Sequence, residues 1–76
     1  MVISLDRLRP GCAGTILEIK TSRWILSRLR DFGMVPGMEV RCRYRSPGGK
    51  VTALEVMGAV IAVRTNELKK ILVECL

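Results

Sequence analysis

Seventy-six residues, 49% of them hydrophobic, are enough for one small core and leave no room for a second domain. Thirteen Lys and Arg against seven Asp and Glu give a formal charge of +6, which points to an acidic partner: nucleic acid, anionic lipid headgroups or an acidic protein face. The apolar run Met57 to Val63 is far below the roughly 18 residues of a spanning helix, and Ser4 and Asp6 break the N-terminal run before it reaches signal-peptide length, so a soluble, cytoplasmic chain without membrane insertion is expected.

In chain order, Leu5 and Leu8 are spaced for one helical turn before Pro10-Gly11 redirects the backbone. Ala13 to Lys20 reads as a strand, with Gly14, Ile16 and Glu18 on one face and Thr15, Leu17 and Ile19 on the other. Thr21 or Ser22 supplies an N-cap for an amphipathic helix over Arg23 to Phe32. At about 100° per residue, Ile25, Leu26, Leu29 and Phe32 share one arc, the face expected to be buried. Trp24 projects instead with Arg28 and Asp31, so the chain's single tryptophan is expected to be partly exposed.

Gly33 stops the helix because it accepts the left-handed C′ conformation, which puts Met34 at C″ against Leu29 in a Schellman ending. Val35-Pro36-Gly37-Met38 suits a type II turn. Met38 to Arg45 then alternates cleanly: Met38, Val40, Cys42 and Tyr44 on one face, Glu39, Arg41, Arg43 and Arg45 on the other. Ser46 to Lys50 is a loop, and Val51 to Met57 a strand with Leu54 and Val56 inward. After Gly58, the apolar stretch Ala59 to Arg64 implies burial on both faces or a tight hairpin at Met57-Gly58. Thr65 is placed to cap a short helical turn through Leu68, and Ile71 to Leu76 is the last strand.

Five short strands, too few for a sandwich, are most economically closed as a small barrel, which would remove exposed sheet edges. The expected fold is mostly β, a single five-stranded barrel domain over residues 1–76 with one inserted helix and a short C-terminal helical turn.

The chemistry available is limited. Without histidine, a phosphate-binding loop or a cysteine beside a visible base, the chain reads as a non-enzyme with no cofactor. Asp6, Glu18, Asp31, Glu39, Glu55, Glu67 and Glu74 form no close cluster in sequence, so direct metal ligation is not expected. Cys12, Cys42 and Cys75 are odd in number and widely spaced, and read as small buried hydrophobes rather than as metal ligands or a disulfide framework. Two partner-binding patches stand out: Trp24, Arg28 and Asp31 on the helix, and Arg41, Arg43 and Arg45 along one strand face. The second patch supports a rival reading, a small nucleic-acid-binding barrel. Against that stands an aromatic content of 4%, with Phe32 and Tyr44 expected to point inward, so nucleic-acid binding is disfavoured.

Three segments carry a family resemblance across nearly the whole chain: Leu5-x-x-Leu8-x-Pro10-Gly11-x-x-Gly14-x-Ile16, Arg28-Leu29-x-x-Phe32-Gly33-Met34-x-Pro36-Gly37, and Gly58-x-x-Ile61-Ala62-x-Arg64-x-x-Glu67 with Ile71 and Val73. In this order and at these separations the sequence resembles the FeoA family of bacterial ferrous iron transport proteins, departing from its pattern at Phe32 and Met34, where leucines are common. The resemblance implies an SH3-like barrel and a cytosolic accessory of the ferrous iron permease FeoB, whose soluble part binds GTP. It leaves the oligomeric state open. A related barrel also follows the DNA-binding domain in metal-responsive repressors, an alternative that the start at Met1 and the lack of a helix-turn-helix segment disfavour.

Overall fold

The computed structural model describes the backbone of residues 1–76 and every side chain but that of Ile25. Its strands are β1 (Val2–Ser4), β2 (Ala13–Ile19), β3 (Glu39–Arg45), β4 (Val51–Val56), β5 (Ala59–Arg64) and β6 (Ile71–Cys75), with helix α1 at Arg23–Asp31 and 3-10 turns at Leu5–Arg7 and Thr65–Lys70. All pairings are antiparallel, in the order β1-β6-β2-β3-β4-β5. This is the expected mostly-β, SH3-like barrel with an inserted helix, but with six strands rather than five. The extra strand, Val2–Ser4, is too short to show a period, and its pairing comes from β6, brought alongside so that Ile3 faces Val73.

Closure is also incomplete. β1 and β5 end the sheet without pairing with each other, so an edge survives where none was expected.

Two bulges bend the sheet and reset its faces. In β2 the register with β6 shifts between Ile16 and Glu18, and in β3 the register with β4 shifts between Cys42 and Tyr44. A bulge opposes two residues to one, so every side chain beyond it changes face. Tyr44, expected inward, is therefore 63% exposed, while Arg45 turns into a half-buried position. Likewise Leu17 is exposed, and Ile19 packs against the same core as Ile16.

The helix ends as its sequence dictates. The Gly33 amide donates to the Arg30 carbonyl at 2.9 Å and the Met34 amide to Leu29 at 3.0 Å, the bond pair of a Schellman motif, with Gly33 at φ +84°. Leu29 and Met34 lie in one buried cluster with Leu54, Val56 and Leu68. The buried arc is narrower than expected: Leu26 is half-buried and Phe32 is 47% exposed, while the Ile25 side chain lies outside the described set. The expected turn at residues 35–38 closes with the Met38 amide donating to the Val35 carbonyl at 3.1 Å.

Of the two readings offered for β5, the structure takes the hairpin. Met57 (φ 51°) and Gly58 (φ 82°) both lie in the left-handed region, as a type I′ turn requires, and β5 itself is exposed or half-buried throughout. Thr65 does not act as a cap. The 3-10 turn begins after Arg64 with no side-chain cap, and the Thr65 hydroxyl instead bonds Thr52, a fully buried polar residue, at 2.8 Å.

The cysteines divide by environment, correcting the expectation of three buried thiols: Cys42 is buried, Cys75 intermediate and Cys12 exposed, and none is bonded to another. Burial pushes the Cys42 thiol pKa up, against a smaller downward pull from the Arg45 guanidinium. Iodoacetamide at about pH 8, mildly below an ordinary thiol pKa, is expected to label Cys12 in the native protein and Cys42 only after denaturation. Peptide mapping by mass spectrometry reads the order directly.

Candidate functional site

Helix α1 carries the first candidate patch. Its sequence places Trp24 one turn before Arg28, and i,i+4 neighbours meet on a helix surface. The Arg28 guanidinium lies 5.2 Å from the centre of the Trp24 ring, a cation–π pair on an indole that is 64% exposed. Asp31, one turn further, is also exposed. The helix thus presents a wide apolar ring held by a charge, which is the chemistry of an interface anchor.

The arginines of β3 do not form a free basic stripe. Arg41 Nη1 donates to the Gly11 carbonyl at 2.8 Å, and Arg43 Nη1 pairs with Glu55 at 2.8 Å. Arg45 Nη2, turned inward by the bulge, donates to the carbonyls of Asp6 at 2.5 Å and Leu8 at 2.7 Å. It therefore ties the first 3-10 turn to the sheet. Replacing Arg45 with Met keeps its bulk but strands both carbonyls, and charge-assisted bonds of this kind are worth about 2 kcal/mol. Urea unfolding is expected to show a loss of that size, with m unchanged.

A further feature escaped the sequence reading. Between α1 and β5 runs a cleft of about 430 Å³, lined by Arg28, Leu29 and Phe32 from the helix and Ile61, Val63 and Arg64 from the strand, with Glu67 at its rim. Phe32, assigned to the core by periodicity, lies just past the helix end at Asp31, is 47% exposed and forms one wall of the cleft. The sequence carried no signal for it: the Met57-Gly58 turn pairs β5 with β4, and only the order of the sheet leaves the other side of β5 open.

Among the described residues, no group of three or more His, Cys, Asp or Glu is arranged to hold a metal ion. Among the same residues no helix is long and apolar enough to cross a membrane.

Comparison with known proteins places these features in a family. The FeoA protein of Chlorobium tepidum superposes with a TM-score of 0.93 at 24% identity, over 97% of this chain and 70% of that one. Iron(II) transport protein A from Clostridium thermocellum gives 0.91 at 28%, over 97% of this chain and 46% of that one. A manganese-dependent transcriptional repressor gives 0.87 at 18% over 99% of this chain but 42% of its own, a likeness of fold alone. Among curated proteins no significant sequence match is found. The FeoA domain model matches residues 3–75, and with the barrel, the Schellman-ended helix and the hairpin edge now described, the chain belongs to the FeoA domain family.

Proposed function

We propose that this chain is a cytosolic accessory of ferrous iron uptake that acts by contact with the GTP-binding part of the permease FeoB and carries out no chemistry itself. The FeoA domain family is linked to ferrous iron transport. Within this chain, the observation that carries the reading is the Trp24–Arg28 pair, an indole 64% exposed on the one helix of the barrel. A large aromatic ring left in water gains most by being covered, and Trp and Arg dominate the energetics of protein contacts. Asp31 extends the patch along the same helix.

The nucleic-acid alternative weakens on the geometry of β3. Arg41 and Arg45 are engaged by backbone carbonyls and Arg43 by Glu55, so the strand offers no row of free guanidinium groups to a phosphate backbone. The likeness to a metal-dependent repressor, at 18% identity, extends to the fold only.

Co-purification of the chain with the cytosolic domain of FeoB, in the nucleotide-free, GDP-bound and GTP-analogue-bound states, tests the proposal. Retention in at least one state is expected. Failure in all three, confirmed by calorimetry at micromolar concentrations, removes the permease contact from the account.

A further inference from the structure

β5 is an open sheet edge, and its phase is readable. The two-residue turn at Met57-Gly58 makes Val56 and Ala59 the closing hydrogen-bonded pair, and the Thr65 amide donating to the Lys50 carbonyl at 2.9 Å keeps the same phase at the far end. Between them, Ala59, Ile61 and Val63 turn their backbone groups toward β4. Val60, Ala62 and Arg64 therefore aim their amides and carbonyls away from the sheet, where no seventh strand exists.

Among the described residues, nothing built into this edge blocks it. Natural edges are protected by proline, a bulge, shortness or an inward charge, and β5 is six residues long, pairs with β4 without a register shift, and reads AVIAVR. The opposite edge is different: β1 has three residues, and its end is tied by the N-terminal amine to Glu74 at 2.6 Å.

The surroundings of β5 select a type of strand. On its inner side lies the cleft walled by Phe32 and Leu29, an apolar seat for alternate side chains of a segment running along the edge. The charged groups are mostly positive. Arg28 and Arg64 line this cleft, and a second hollow of about 530 Å³, sharing Arg64, adds Lys50 and Lys69, whereas Glu67 is the single acidic residue lining either. Among the described residues none of these four cations is in an ion pair.

We infer that β5 accepts an extended, acidic segment of a partner protein as a seventh strand. The segment's backbone bonds to Val60, Ala62 and Arg64, alternate apolar side chains rest against Phe32, and its carboxylates meet Arg28, Arg64 and Lys50. Pairing of β5 with β5 of a second copy would use the same edge, but it would bring together two chains each carrying +6. The charge favours the acidic segment. This inference does not rest on the permease reading, since the chemistry of the segment is what the edge recognises.

Selection of a random peptide display library of about twelve residues on the wild-type protein at low salt is the test, with the enriched peptides then synthesised. Enrichment of sequences alternating apolar and acidic residues is expected, together with slowed hydrogen exchange at the amides of Val60, Ala62 and Arg64. N-methylation of alternate peptide amides should abolish binding without touching the protein. Ala62→Pro should do the same while keeping the fold, because that amide faces solvent and proline is tolerated on such edge positions. Arg64→Glu is expected to weaken binding about tenfold or more, with the loss shrinking as salt rises. Absence of enrichment, basic consensus sequences, or peptides that bind the N-methylated form or the Ala62→Pro protein equally well would overturn the inference. So would protection of the three amides that grows with protein concentration alone and tracks a dimer in sedimentation, which would assign the edge to a second copy. No permease enters this experiment, so its outcome and that of the co-purification are independent.

Discussion

Replacing Met34 with Ala is expected to lower the unfolding free energy by about 2–5 kcal/mol, the range for truncating a fully buried methionine. Met34 is 0% exposed and sits where three structural demands meet. Its amide closes the Schellman ending on Leu29, its side chain fills the core beneath the helix, and its backbone leads into the turn that starts β3. A residue following a left-handed glycine has little freedom to relocate, so the cavity should collapse only partly. In a domain of this size each kcal/mol moves Tm by roughly 4–8 °C, so a drop of about 8 °C or more is expected by calorimetry. Met34→Leu, near in volume and common at this position in the family pattern, should cost under about 1.5 kcal/mol. If Met34→Ala melted within two or three degrees of the wild type, α1 would not be anchored through this residue.

Trp24→Ala is expected to do the reverse, weakening the proposed association with the FeoB cytosolic domain by about 2 kcal/mol or more, roughly thirtyfold in Kd, while Tm falls by only a few degrees. The reason is exposure. With 64% of the residue already in water, truncation opens no cavity, and among the described residues the specific interaction lost is the cation–π contact with Arg28, worth about 0.5–1 kcal/mol at exposed sites. Calorimetric titration and thermal melts of the same preparation separate the two effects. Unchanged affinity would dismiss the α1 patch as the contact, and a large stability loss would show the indole to be structural. Arg28→Ala should follow Trp24→Ala in direction on affinity, since the guanidinium both holds the ring and lines the cleft beside it.

The two substitutions separate what α1 does for the barrel from what it offers a partner. Its inner side is committed to the core through Leu29, and the residue just past its end, Met34, completes that packing. Trp24, Arg28 and Asp31 remain on the solvent side with Phe32 at the margin. A helix inserted between two strands, held at its C-terminus by a backbone motif rather than by burial of both faces, is suited to display.

Local chemistry made some of this legible in the amino-acid sequence. The Schellman ending at Gly33, the turn at Val35–Met38, the Met57-Gly58 hairpin and the outward Trp24 each depend on a few neighbouring residues and on backbone preferences that need no distant partner. What tertiary structure alone decided are the features that arise when strands meet. The bulges at Leu17 and Arg43 are set by how β6 and β4 align against β2 and β3, and each inverts the faces beyond it, sending Tyr44 out and Arg45 in. Strand β1 exists only because β6 lies beside it, and the cleft at Phe32 only because β5 ends the sheet. Periodicity reports which side of a single strand is apolar. It carries no information on register, and register is what turns a predicted stripe of arginines into ties to backbone carbonyls and to Glu55, and leaves the apolar strand Ala59–Arg64 as the open edge.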